Sequence, residues 1–243
     1  YPAKTWQTII DHFVDNKNIF LTATPYHSGN QIVGNDFNDQ QINYTAYSLS
    51  RQDAVNACLM RPLQFIELGN ETDSDEQRIQ TVADGMVQRL EDNDEQDPSF
   101  PHQAMIICYT VEEVNQVVSI INNKSILAVA YHRDSGNEEF QQFCRPASGN
   151  ETTDRRNERP RFLVSCGKAS EGFNHPDISV VGILRNIAPT SSVLFSQFVG
   201  RSVRIKGSND NVTATIFSHV SHNQKDNYEN LDNLAEEDPM EDL

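Results

Sequence analysis

Short apolar runs alternate with stretches of helical period along most of this chain, and that alternation constrains the fold more than any other feature. Leu63 to Leu68, Ala104 to Cys108, Ile126 to Tyr131, Arg161 to Ser165, Ile178 to Leu184 and Val212 to Phe217 each read as a short buried strand. Between them, Ile79, Val82, Ala83, Met86, Val87 and Leu90 recur at helical spacing through residue 90. Val111 to Ile121, Glu138 to Phe143 and Ser191 to Val199 also read as helices. Strands joined by helices run parallel, and a parallel sheet needs both faces covered. The expectation is an α/β fold with helices on both faces of a parallel sheet.

The start of the chain repeats the pattern once. Trp6, Ile9, Ile10, Phe13 and Val14 form an apolar stripe at helical period, and Asn18 to Thr22 follows as a short strand closed by Ala23-Thr24-Pro25. Residues 26–50 are rich in Asn, Gln, Ser and Gly without a sustained period, which marks a loop or linker and a domain boundary. An acidic loop, EDNDEQDPSFP, is expected to end the helix at Leu90. Residues 145–160 form a polar, arginine-containing loop, and the acidic end, DNLAEEDPMEDL, is expected to be mobile.

Charge is informative only by position. The chain carries 19 Lys and Arg against 35 Asp and Glu, a formal charge of -16, which argues against a nucleic-acid partner until the charges are placed. Residues 67–97 hold 11 acidic and 2 basic side chains, and residues 208–243 hold 9 and 1. Residues 145–206 hold 10 basic against 5 acidic, so a basic face is available. Cys58, Cys108, Cys144 and Cys166 have no CxxC or zinc-type spacing and read as reduced, mostly buried thiols, from which an intracellular location is expected. No apolar run reaches the roughly 20 residues of a membrane span, so no membrane partner is expected. The first residues lack a signal-peptide pattern.

Four stretches carry chemistry in a fixed order. LTATP at 21–25 ends a strand in hydroxyl residues and a proline. AMIICYTVEEV at 104–114 runs a strand into a helix. SEGFNHPDISVVGILR at 170–185 is a loop closed by Pro176 before a strand, and QFVGRSVR at 197–204 brings Gln197, Arg201 and Arg204 near a helix end. In an open α/β sheet ligands gather beyond the carboxyl ends of strands, where Ser170, Glu171, Gly172 and Asn174 are expected. Two arginines three residues apart share a helix face and suit phosphate oxygens.

In this order the stretches resemble motifs III, IV, V and VI of superfamily 2 helicases, most closely the DEAH-type branch with restriction-enzyme-like and repair helicases. The resemblance covers residues 1–27 and about 54–220. It implies that Tyr1 lies shortly after a DEAH box. On that footing residues 1–27 are the end of a first RecA-like, ATP-binding domain, 28–60 a linker, 61–220 a second RecA-like domain and 221–243 an acidic tail. It implies arginine fingers at Arg201 and Arg204, which neutralise charge developing on the γ-phosphate of ATP. Gln197 would position nucleotide or attacking water, and Gly172 and Asn174 would line the nucleotide side. Ser170 and Thr110 would contact the nucleic-acid backbone, and Thr22 and Thr24 would couple hydrolysis to domain movement. ATP and Mg²⁺ would be held mainly by the upstream domain, and the partners would be that domain and single-stranded or duplex DNA or RNA. The sequence departs from the pattern at Asn174, where many relatives have Asp, at Ser170, where many have Thr, and at His27, where relatives often have Arg.

Gly167-Lys168-Ala169-Ser170 is not a phosphate-binding P-loop, because Phe162 stands where the first Gly is needed and Ala follows the Lys. Asp94-Glu95-Gln96-Asp97 spells a DExD string but reads as solvated loop. The histidines show no metal-ligand spacing and read as surface or cap residues. Two other readings stand beside the helicase one. The first is a non-catalytic RecA-like module that binds nucleic acid or protein. The second, an unrelated Rossmann-like domain, is disfavoured because no GxGxxG turn occurs.

Overall fold

The computed structural model describes residues 26–27, 30–31, 49–98, 101–145, 159–167, 174–207 and 210–231. The expected helix at Trp6 to Val14, the strand at Asn18 to Thr22, and the acidic end from Asp232 lie outside the described residues.

In chain order, β1 (Tyr26–His27) and β2 (Asn30–Gln31) pair antiparallel. There follow α1 (Arg51–Asn56), β3 (Leu63–Leu68), α2 (Asp75–Gln96), β4 (Gln103–Cys108), α3 (Val111–Asn122), β5 (Ala128–Tyr131) and α4 (Glu138–Cys144). The last elements are β6 (Phe162–Ser165), β7 (Ile178–Leu184), α5 (Ser192–Val199), β8 (Ala214–His219) and α6 (Lys225–Glu229). Strands β3 to β8 form one six-stranded sheet in the order β3-β8-β7-β4-β6-β5, and every pairing in it is parallel. The expected α/β architecture is therefore present.

Residue parity along the strands explains the two cores. On β4, Ala104, Ile106 and Cys108 face α2 and α3, where they pack with Val82, Met86, Val117 and Ile121. Met105 and Ile107 face the other way, toward Phe143 of α4 and Phe195 and Phe198 of α5. A strand buried on both faces reads as a continuous apolar run, which is why β4, β6 and β7 stand out in the sequence. Gly182 on β7 lacks a Cβ because Met86 Sδ occupies that space. Helix α2 opens with a capping box between Ser74 and Gln77, with Asp75 and Glu76 in the first turn against the helix dipole.

Three expectations are corrected. Helix α2 does not end at Leu90 but continues to Gln96, because polar partners replace the apolar stripe. Asn93, 1% exposed, donates to Ser179 Oγ at 2.9 Å. Asp94 is not solvated loop: its carboxylate accepts the His102 amide at 2.9 Å and Arg161 Nη2 at 2.9 Å. Next, the packed domain does not stop at residue 220. Tyr228 stacks on Phe65 at 5.2 Å and donates to Leu63 O, while Asn227 donates to Ile187 O, so α6 covers the β3 side of the sheet. Last, all four cysteines are free, but only Cys108 is buried, and Cys58 is exposed.

Candidate functional site

Because all six strands are parallel, their amino ends share one rim of the sheet and their carboxyl ends the other. After β6 the chain must return the length of the sheet before it can start β7 in the same direction. Asn174 therefore emerges on the amino rim, four residues before Ile178, and not beyond the carboxyl ends as expected. There it meets Arg204, whose Nη1 donates to Asn174 Oδ1 at 2.9 Å. Arg204 is placed by an antiparallel bridge to Met60 and by the Arg61 amide donating to Val203 O at 2.7 Å. The stretches at 170–185 and 197–204 thus meet side chain to side chain through residues 30 apart in sequence.

The other expected site residues divide as follows. Arg201 lies in the turn after α5 and is 3% exposed, so it is packed within this domain. Gln197 lies exposed on α5. Thr110 is the N-cap of α3: its Oγ1 accepts the Glu113 amide at 3.1 Å, and Glu113 Oε2 accepts the amides of Tyr109 and Thr110. Thr22, Thr24, Ser170 and Gly172 lie outside the described residues.

A network of buried charges holds the amino rim. Arg61, 1% exposed, donates from Nε and Nη2 to the Asp210 carboxylate at 2.6–3.1 Å. Its remaining donors reach Ile178 O at 2.6 Å, Ser202 O at 2.8 Å and Pro176 O at 2.8 Å. One guanidinium thereby ties the start of β3 to the turn before β7, the turn after α5 and the loop before β8. A second node is Arg159, which donates to Asp177 Oδ2 and Gln103 Oε1, both at 2.9 Å. Gln103 Nε2 donates to Phe143 O and Pro160 O, so its Oε1 is left as an acceptor for Arg159 and for His175 Nε2 at 2.5 Å. Arg159 Nη2 also lies 3.3 Å from His175 Nε2, so this ring nitrogen faces both a donor and an acceptor. Lys206 Nζ closes the group on Asp177 Oδ1 at 2.6 Å.

The electrostatics follow from burial. Burial pushes the His175 pKa down to about 4, against the pull of Asp177, and burial with the charge of Arg61 does the same to His102, also to about 4. Both rings are neutral at pH 7. Burial works to raise the Asp177 and Asp210 pKa values, but hydrogen bonds from Lys206 and Arg61 respectively outweigh it, so both carboxyls sit below their usual range. Burial lowers the pKa of Arg204, which still remains a cation. Among the described residues this rim gathers Arg61, Arg159, Arg161, Arg201, Arg204 and Lys206 around Asp94, Asp177 and Asp210. Arg61, Arg159, Arg161 and Arg201 are buried, so Arg204 is the guanidinium of this group that is open to a ligand. Among the described residues, no group of three His, Cys, Asp or Glu side chains could hold a metal ion, and no helix is long and apolar enough to cross a membrane.

The carboxyl rim is different. Tyr109, 67% exposed, ends β4 beside Arg185 at the end of β7, with the guanidinium 5.6 Å from the ring centroid. At the β3–β8 edge, His219 Nε2 lies 3.1 Å from Asp73 Oδ2 and Nδ1 lies 2.9 Å from Ser221 Oγ. That order of groups resembles a hydrolase triad, but Nδ1 also accepts the Ser221 amide at 3.2 Å, so its lone pair is engaged in a cap. His219 is a cap, as the sequence suggests, whereas His102, His175 and His219 are all buried and none is a surface residue.

Sequence reasoning missed Arg61, Arg159, Asp177, Lys206 and Asp210. The only local signal was charged residues placed next to strand starts, and their partners lie as far as 149 residues away.

No family model matches the chain. No curated protein matches it either. Among solved structures, the chain is similar to the ATP-dependent Type ISP restriction-modification enzyme LlaBIII bound to DNA, at 19% identity over 68% of this chain and 12% of that one, TM-score 0.45. It is similar to the E. coli DExH-box NTPase HrpB, at 12% identity over 65% of this chain and 19% of that one, TM-score 0.42. It is also similar to a DEAD box protein from the hyperthermophile Methanococcus jannaschii, at 14% identity over 74% of this chain and 40% of that one, TM-score 0.43. The chain spans less than half the length of each. At these scores the likeness carries no argument, and the α/β architecture rests on the strand register described above.

Proposed function

We propose that this chain is the C-terminal part of an ATP-dependent DNA or RNA helicase or translocase of superfamily 2, acting with an upstream RecA-like domain. The observation that carries this reading is the meeting of Asn174 with Arg204 on a cation-rich rim, which joins two motif stretches that the resemblance assigns to one nucleotide site. In this reading ATP and Mg²⁺ would be held mainly by the upstream domain, and ATP would supply the γ-phosphoryl group that passes to water. Arg204, half-buried, is the guanidinium offered to the γ-phosphate, where a positioned arginine stabilises the charge that develops. Asn174 orients Arg204, and Gln197 faces solvent on the adjoining helix. Ser170, Gly172, Thr22 and Thr24 keep their proposed roles in backbone contact, nucleotide lining and coupling.

The burial of Arg201 favours a second reading, a non-catalytic RecA-like binding module whose arginines are structural. ATP turnover stimulated by single-stranded nucleic acid, measured on the longer polypeptide that includes the upstream half, separates the two. The helicase reading expects Arg204→Ala to lower kcat by roughly 10³-fold or more with folding intact. Unchanged turnover supports the binding module. A chain without a P-loop is expected to show no ATPase by itself, and turnover by residues 1–243 alone would refute that.

A further inference from the structure

The carboxyl rim presents an aromatic ring on a fixed backbone. Tyr109 and Arg185 are side by side because β4 and β7 pair in parallel with Cys108 opposite Leu184, so the next residue of each strand follows in step. The Tyr109 amide donates to Glu113 Oε2 at 2.8 Å, and its carbonyl accepts from Cys166 Sγ at 3.1 Å, which pins the backbone from both sides. The ring is nonetheless 67% exposed, so Arg185 covers at most one face. Arg185 Nε is buried and has no hydrogen-bond partner among the described residues. Just past β6, next to Cys166 in sequence, Gly167 has φ +70° and open space where a Cβ would stand.

We propose that Tyr109 and Arg185 form a stacking site for one unpaired base of a single-stranded nucleic acid. The base lies on the open ring face, and the Arg185 guanidinium reaches the adjoining phosphate. This rests on the nucleic-acid reading above and changes where contact is made on this rim. Thr110 is occupied in its cap, and the Glu113 carboxylate already takes the amides of Tyr109 and Thr110, which places a negative charge where a phosphate would otherwise dock. A π-face accepts any base, so the site grips without reading sequence. An aromatic held on a rigid backbone loses little entropy when it stacks.

Fluorescence anisotropy of the 243-residue chain with a labelled oligothymidylate of about 20 nucleotides tests this. Tyr109→Ala is expected to weaken binding roughly 5- to 150-fold, the range for loss of one stacked base. Tyr109→Phe keeps the ring and is expected to stay within about twofold. Tyr109→Ala is also expected to leave the salt dependence unchanged, because the ring releases no counterions. An abasic strand of the same length should bind the wild-type chain more weakly, yet suffer no further loss with Tyr109→Ala. If the wild type binds the strand and Tyr109→Ala binds equally well, the stacking site is overturned while the nucleic-acid reading stands. If the wild type binds no single strand, the stacking site is overturned, and the nucleic-acid reading is decided by the stimulated turnover of the longer polypeptide. Tyr109 is exposed, so circular dichroism of the Ala variant should match the wild type.

Discussion

Replacing Arg61 tests how the amino rim is held. Arg61→Met keeps most of the aliphatic stem and removes every donor. Among the described residues the Asp210 carboxylate then keeps only the Lys206 amide at 2.9 Å, and the carbonyls of Pro176, Ile178 and Ser202 lose their guanidinium partner. Breaking a buried ion pair from one side costs about 3–5 kcal/mol, because a charge stays behind without compensation. Against a total stability of about 5–15 kcal/mol, that is a large fraction. Arg61→Lys keeps the charge but not the fork, and one ammonium cannot reach Asp210 and three carbonyls together, so a loss of about 2 kcal/mol is expected. Adding Asp210→Asn to Arg61→Met removes the stranded charge and should recover at least about 1 kcal/mol. Urea unfolding followed by far-ultraviolet circular dichroism reads each value by linear extrapolation. Arg61→Met within about 1 kcal/mol of wild type, or strict additivity in the double variant, would refute the reasoning.

Acid should destabilise the domain well before its carboxylates titrate. His102 and His175 have folded pKa values of about 4, below their ordinary 6.5, so the unfolded chain takes up protons first. Stability present above pH 6.5 is therefore lost as pH falls toward 4, by about 3 kcal/mol for the fully buried His102. Urea midpoints between pH 7.5 and 4.5 check this, and a flat profile would contradict it. Asp177 and Asp210, with lowered pKa values, should add their loss only below their ordinary 3.8. Gly182→Ala places a Cβ against Met86 Sδ and 3.2 Å from Ile106 Cγ1, and a thermal melt should show about 1–3 kcal/mol of destabilisation. Asp94→Ala should cost about 2–3 kcal/mol by urea titration, whereas its exposed neighbour Glu95→Ala should stay within about 0.5 kcal/mol.

The sheet was legible because β4, β6, β7 and β8 are buried on both faces, while the half-buried edge strand β3 still carries an apolar run. Ile178 to Leu184 and Leu63 to Leu68 are observed with the bounds their apolar runs predict. β8 instead runs on to His219, past the apolar run, since Ser218 is buried and bonded to Ile183 O. The same substitution of polar partners for apolar contacts hid the last turns of α2, where Asn93 and Asp94 are held by Ser179, His102 and Arg161. The resemblance grouped Asn174 with Arg204 at one nucleotide site, but an order of motifs along a chain has no direction in space. Which rim they occupy depends on the return crossing between β6 and β7, and that follows only from a parallel sheet order. The Arg61 clamp was invisible for a simpler reason. Its partners Pro176, Ile178, Ser202 and Asp210 are brought near only by the finished fold.

The proposed contact of this chain with nucleotide is tested most directly by a photoreactive ATP analogue carrying its probe on the γ-phosphate. The longer polypeptide that includes the upstream half would be irradiated with single-stranded nucleic acid present, and the labelled peptides mapped by mass spectrometry. Label on the Gln197 to Arg204 segment, lost when unmodified ATP competes, is the expected result. Label confined to the upstream half, with this segment untouched, would contradict the assignment of Arg204 to the γ-phosphate and leave the amino rim as structure alone.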